Sequence, residues 1–225
     1  MFRIKTFFGP MGSGKTKKLL EMYESIYRKD LVKIFSCGID DRWGKGVIKS
    51  RDGKLKLNSI VLHDLFLLLQ HLDENTKHVF VDEVNFFFSE ENPEKGIDAI
   101  ALERSRHQMM KILLALAKER EINFNLFGLN LTAEKKSYGF MGTAMHYSEK
   151  HELFAECACC GNEKAQFTFY IPYEKKVNVV GADDYCALCG LCWFKWEENF
   201  KWHKSQNNLD EYFKLAKVLK PNGKK

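Results

Sequence analysis

Three groups of residues in this chain have the types and spacing to do chemistry. The first is Gly9-Pro-Met-Gly-Ser-Gly-Lys-Thr16, which fits the pattern G-x-x-x-x-G-K-[ST] in full. Glycines in such a loop let backbone N–H groups turn inward and surround phosphate oxygens. A helix starting directly after it adds the positive end of its dipole. Gly9, Met11, Gly12, Ser13 and Gly14 form the loop, Lys15 is placed to neutralise the β- and γ-phosphates, and Thr16 to hold Mg²⁺. A plain glycine turn is the bland alternative, and the strand and helix expected on either side weigh against it.

The second group is Asp82-Glu83, at the end of the apolar run His78-Val-Phe-Val. A carboxylate closing a hydrophobic strand is the Walker-B arrangement, in which Asp82 binds Mg²⁺ directly or through water. Glu83 is then the adjacent candidate base. Alone, one Asp-Glu pair is most often a surface or ion-paired feature; its partner here is the phosphate loop.

The third group is cysteine. Six of the seven cysteines fall between Cys157 and Cys192, in Cys157-Ala-Cys-Cys160 and Cys186-Ala-Leu-Cys-Gly-Leu-Cys192. Two CxxC pairs can close a tetrahedral thiolate site around Zn²⁺. Cys157 with Cys160 supplies one half. Spacing allows either Cys186 with Cys189 or Cys189 with Cys192 for the other. Clustered pairs beside a nucleotide motif point to a reducing compartment and a metal, not to a disulfide scaffold.

The surrounding pattern has to position these groups. Residues 2–8 read as a buried strand leading into the loop, and residues 15–28 as a helix with Leu19, Leu20, Tyr23, Ile26 and Tyr27 on one face. Strands are expected at 31–37, 59–62, 78–82 and 123–129, and a loop or short hairpin over 38–58. Helices are expected from an Asp64 cap to about 72 and over 99–119. Strands alternating with helices imply a parallel α/β sheet with ligands at the strand C-termini. Near residue 150 the texture changes to paired cysteines and short β-like runs such as 165–171. The reading is an α/β P-loop (RecA-like) domain over 1–150, a small zinc-binding β module over 151–198, and a C-terminal helix or flexible tail over 199–225.

The whole chain limits the function. With 225 residues it holds one sizeable core and a small appendage, too little for a large motor or helicase. Its 35 basic and 30 acidic residues give a net charge of +5 without a dense basic stripe, so no nucleic-acid partner is expected. No apolar run is long enough to span a bilayer, and the start reads as a strand, so no membrane partner and a cytoplasmic location are expected.

The ordered set of motifs resembles the type II thymidine kinases from about residue 5 to 195. Gly9–Thr16 is similar to their GPMFSGKT, Asp82-Glu-Val-Asn-Phe-Phe87 to DEGQFF, and Asp40-Asp-Arg42 to a D-x-R element. Ser50-Arg-Asp-Gly53 is similar to SHDG, Gly128-Leu-Asn130 to GLD, and Gly181-Ala-Asp-Asp-Tyr185 to the segment between the two CxxC pairs. The resemblance implies ATP-dependent phosphorylation of the 5′-hydroxyl of thymidine or deoxyuridine, with Mg²⁺, a structural Zn²⁺ and a homotetramer or homodimer. It implies that Glu83 takes the 5′-hydroxyl proton and that Asp40 and Arg42 line the reacting end. Phe86, Met11, Thr168 and Tyr185 would shape the base pocket, and residues 177–185 would form a lasso gripping the base through backbone groups. It also selects Cys157, Cys160, Cys189 and Cys192 as the metal ligands.

Several positions depart from the family pattern. Asn85 stands for Gln, Arg51 for His, Asn130 for Asp, Ala133 for an aromatic, Tyr170 for Arg and Val180 for Gly, and residues 88–104 are longer and more charged. The phosphate machinery is intact and the acceptor side has drifted. Two other functions follow from the same residues: a catalytically impaired nucleotide-binding homologue with a regulatory role, and a zinc-ribbon ATPase acting on nucleic acid.

Overall fold

Apolar runs form the centre of the fold. Strands β1 (Ile4–Phe8), β2 (Val32–Cys37), β6 (His78–Asp82) and β7 (Asn123–Gly128) are mostly buried, as expected for parallel strands covered on both faces. They belong to a computed structural model that describes residues 3–38, 46–50, 53–89, 98–171, 185–216 and 218–219. With β5 (Ile60–Leu62) and β8 (Glu149–Glu152) they make a six-stranded sheet in the order β5-β2-β6-β7-β1-β8, and every pairing is parallel. Helices α1 (Lys15–Ser25) and α2 (Ala99–Glu119) flank it, as does the short α3 (Gly139–Ala144). Asp98 caps α2 by accepting from the Ile100 N–H at 3.1 Å.

Strand alternation divides the side chains. Val79, Val81, Phe124 and Leu126 join Met109, Met110 and Leu113 of α2 in one cluster. Phe7 and Phe80, next in alternation, both stack on Phe127, with ring centroids 4.6 and 6.3 Å away. Phe80, Phe124 and Phe127 are almost wholly buried, each contributing roughly 1.5–3 kcal/mol relative to exposure.

Two elements differ from expectation and a third takes one of the two forms expected. Residues Leu65–His71 form a 3₁₀ helix, not an α-helix, although Asp64 does cap it through the Phe66 N–H at 2.9 Å. The segment expected as a loop or short hairpin does carry a hairpin, of the short antiparallel strands β3 (Val47–Lys49) and β4 (Lys56–Asn58). Strand β8 was not expected, because Glu-Lys-His-Glu carries no apolar signal. It is an edge strand, where charge is tolerated and discourages further pairing.

The chain divides into two compact units. The sheet belongs to the unit made of Met1–Phe8, Lys15–Asn130 and Ser137–Glu152. The other unit comprises Gly9–Gly14, Leu131–Lys136 and Leu153–Lys225. It contains an antiparallel hairpin of β9 (Phe167–Tyr170) and β10 (Tyr185–Leu188), followed by α4 (Gly190–Ser205) and α5 (Leu209–Ala216). Its own core gathers Phe169, Leu188, Trp193, Phe200 and Tyr212. The Lys135 ammonium lies 3.3 Å from the Trp193 ring centroid, a cation–π contact on that core's margin.

Candidate functional site

The phosphate-type loop leaves β1 at Gly9. Gly12 and Gly14 have φ of 81° and 82°, the left-handed region that side chains other than glycine disfavour. Ser13 N–H donates to the Pro10 carbonyl at 3.2 Å, which tightens the turn. Met11 N–H donates to Thr168 Oγ1 on β9 at 3.0 Å, so Thr168 anchors the loop backbone of its own unit. The chain then enters α1, whose first two residues are Lys15, buried, and Thr16. The backbone donors of a helix start are thus adjacent to an ammonium.

In the sheet unit, β6 ends on Asp82, buried, whose Oδ2 accepts from the Thr16 hydroxyl at 3.4 Å. The candidate Mg²⁺ hydroxyl and carboxylate are therefore neighbours. Glu83 follows with φ 52° and ψ 40°, a left-handed conformation that is costly for a residue with a side chain. Its N–H donates to Asp82 Oδ1 at 3.1 Å. Residues Val84–Phe86 form one 3₁₀ turn, with Phe86 N–H bonded to the Glu83 carbonyl at 3.1 Å. Phe86 is half-buried and meets Tyr138 edge-on at 5.7 Å.

Residues that sequence reasoning did not single out hold this turn. The fully buried Asn85 accepts from the Leu129 N–H through Oδ1 at 2.9 Å. Arg106 of α2 donates to the Phe88 carbonyl through Nε and Nη2 at 3.1 and 2.6 Å. Phe140 N–H, in the first turn of α3, donates to the Phe87 carbonyl at 2.9 Å. The one sequence signal was Asn85, which stands where the family motif has Gln.

Four cysteine sulfurs, of Cys157, Cys160, Cys189 and Cys192, lie within 4.8 Å of one another. A group of this kind could hold a metal ion. Local structure accounts for the convergence. Cys157 N–H bonds to the Asn162 carbonyl at 2.7 Å and Gly161 N–H to the Cys157 carbonyl at 2.9 Å, folding 157–162 into a knuckle. Cys189 is the N-cap of α4 and Cys192 stands three residues on, so both thiols share one helix face. Burial pushes the Cys157 thiol up, but N–H donors from Cys189, Cys160 and Cys159 outweigh it and bring it down to about 7. Cys186 is buried in β10, outside the group. Burial first, then the charges of Cys157 and Cys159, push its thiol up to about 12. Cys159 is exposed and also outside the group.

Of the other expected residues, Tyr185 begins β10 and pairs with Tyr170, with rings 4.9 Å apart. Asp40, Arg42, Arg51, Val180 and all of 177–185 except Tyr185 lie outside the described residues. Among the described residues, no helix is long and apolar enough to cross a membrane.

A family model described as thymidine kinase matches residues 2–193. Similar curated proteins carry the same description. A thymidine kinase of Pseudothermotoga lettingae is 26% identical over 199 residues, covering 86% of this chain and 95% of that one. One of Chromobacterium violaceum is 29% identical over 203 residues, covering 84% and 97%. One of Mycoplasma mobile is 26% identical over 198 residues, covering 87% and 88%.

Proposed function

The chain belongs to the thymidine kinase family, and we propose that it transfers the γ-phosphate of ATP to the 5′-hydroxyl of thymidine or deoxyuridine. Membership makes it a kinase phosphotransferase of a family that uses ATP. The finer reading rests chiefly on one observation. Asp82 and Glu83 stand side by side at the C-terminal end of a central parallel strand, and the Thr16 hydroxyl touches Asp82. Parallel sheets bind ligands at that edge.

In this reading the loop of Gly9, Met11, Gly12, Ser13 and Gly14 cradles the phosphates, and Lys15 neutralises their charge. Thr16 and Asp82 hold Mg²⁺, which when bound offsets charge on the phosphate oxygens. Glu83 accepts the proton of the 5′-hydroxyl as its oxygen attacks the γ-phosphorus and the bond to ADP breaks. Asp40 and Arg42 orient the reacting end of the nucleoside. Phe86, Met11, Thr168 and Tyr185 bound the base. The thiolates of Cys157, Cys160, Cys189 and Cys192 fit Zn²⁺, with four protein ligands and no open position, so the ion would be structural. Residues 1–150 form the nucleotide-binding domain, 151–198 the zinc-binding and lasso domain, and the enzyme works in the cytoplasm as a homotetramer or homodimer.

Transfer of labelled γ-phosphate, assayed against a panel of deoxynucleosides with and without DNA, tests this reading. Label in the 5′-monophosphate of thymidine or deoxyuridine is expected. Binding of ATP with no acceptor phosphorylated would favour the impaired regulatory homologue. Phosphate released only when DNA is present would favour the zinc-ribbon ATPase.

A further inference from the structure

The family reading gives Glu83 a role but not a reason for its side chain to stay where that role needs it. Glu83 and Phe88 both adopt left-handed backbone, with φ of 52° and 54°. A strained segment holds its shape only when its surroundings over-determine it. Arg106 and the Phe140 N–H hold its far end at the Phe88 and Phe87 carbonyls, and Asn85 holds the end next to Glu83.

Asn85 is completely buried. Its Oδ1 takes the Leu129 N–H at 2.9 Å, just beyond the last residue of β7. Two glycines make room for it. A Cβ on Gly128 would clash with Asn85 Oδ1, and a Cβ on Gly139 would clash with the Asn85 backbone carbonyl. Gly139 also has φ 48°, so both space and backbone conformation favour glycine there. Asn85 Nδ2, by contrast, is buried with no hydrogen-bond partner among the described residues. A buried amide that satisfies only half of its polar groups is costly for stability alone. Its one bond joins the turn carrying Glu83 to the neighbouring strand end.

We propose that Asn85 is a positioning residue for Glu83, its carboxamide tying the 84–86 turn to the end of β7 so that the Glu83 carboxylate is held for proton transfer. Asn85 is two residues from Glu83 in the same turn, so a shift of its anchor rotates the segment that bears the carboxylate. This role rests on the reading of Glu83 as the base.

A double-mutant cycle on the full-length protein tests it, with ATP and thymidine as substrates and single-turnover rates as the readout. Asn85→Ala should lower the rate of phosphoryl transfer on the order of 10–100-fold, because misplacing a reacting group by about 1 Å has that effect. The KM for ATP should change by less than about threefold, since Lys15, Thr16 and the phosphate-type loop lie outside this turn. In the Glu83→Gln background the same Asn85→Ala change should have almost no further effect, because a positioning residue acts only through the group it positions. An equal fall in both backgrounds, or an unchanged rate in Asn85→Ala alone, would overturn the proposal. Should Asn85→Ala fail to fold by circular dichroism, Asn85→Ser gives the same cycle with a smaller cavity and the same required cancellation. Wild-type turnover in Glu83→Gln alone would remove Glu83 as the base, and the positioning role with it.

Discussion

Glu83 and Lys15 are both assigned to phosphoryl transfer, but by different physics, and their variants separate the two. Glu83→Gln keeps the shape and hydrogen-bonding reach of the side chain and loses the base. It should slow transfer by about 10²–10⁴-fold while ATP affinity stays nearly unchanged. Lys15→Ala removes a buried ammonium next to a phosphate-type loop and should weaken nucleotide binding itself. Calorimetry on both variants checks this, and unchanged affinity in Lys15→Ala would refute the loop assignment. The cysteines give a second contrast. Cys192→Ser should lose the metal and Cys186→Ser should keep it, since the Cys186 thiol is buried outside the group of four. Backbone N–H donors outweigh burial and hold the Cys157 thiol below its ordinary value, which favours the thiolate that a metal needs. Protons compete with the metal for that thiolate, so affinity measured against a chromophoric chelator should fall from about pH 8 to about pH 6. Flat affinity across that range would contradict a thiolate metal site.

At the scale of elements, the turn after β6 depends on its neighbour α3. Gly139→Ala places a Cβ against the Asn85 carbonyl at a left-handed position, and should destabilise the fold by on the order of 2–4 kcal/mol. Urea unfolding should show this as a lower midpoint with an unchanged slope. A midpoint equal to wild type would show that the close approach relaxes freely. Legibility in the sequence follows the same physics. The phosphate-type loop, the Asp82-Glu83 pair and the buried strands were legible because each couples an apolar run to a fixed residue pattern. Strand β8 was not, because an edge strand of Glu, Lys and His lacks apolar alternation. Helix α3, Gly-Phe-Met-Gly-Thr-Ala, starts and continues with glycine, a poor helix former, and is set by packing instead. Helix α4 has aromatic residues on several faces, including buried Trp193 and exposed Phe194 and Trp202, so it shows no apolar stripe. The Asn85 anchor is a tertiary contact to Leu129, 44 residues away, and no local pattern encodes it.

Across the whole molecule, each of the two compact units has its own hydrophobic cluster. The second core is small, and cores of that size commonly need a staple. Its cysteine group could hold a metal ion that serves as one. Removing the metal with a strong chelator should destabilise this core by on the order of 3 kcal/mol or more. Trp193, Trp196 and Trp202 all lie on α4, so their fluorescence reports the change. The same fluorescence midpoint with and without chelator would contradict a structural metal. A phosphate-type loop, a strand-end carboxylate pair and membership of the thymidine kinase family over residues 2–193 together support the proposed transfer to a nucleoside 5′-hydroxyl. The most direct test follows label from [γ-labelled] ATP in the wild-type protein and in Glu83→Gln, with thymidine as acceptor and the product position assigned by magnetic resonance. Label is expected on the 5′-oxygen of thymidine with wild type, with a loss of about 10²-fold or more in Glu83→Gln. Label released only as inorganic phosphate, or carried to thymidine equally well by both proteins, would contradict that expectation.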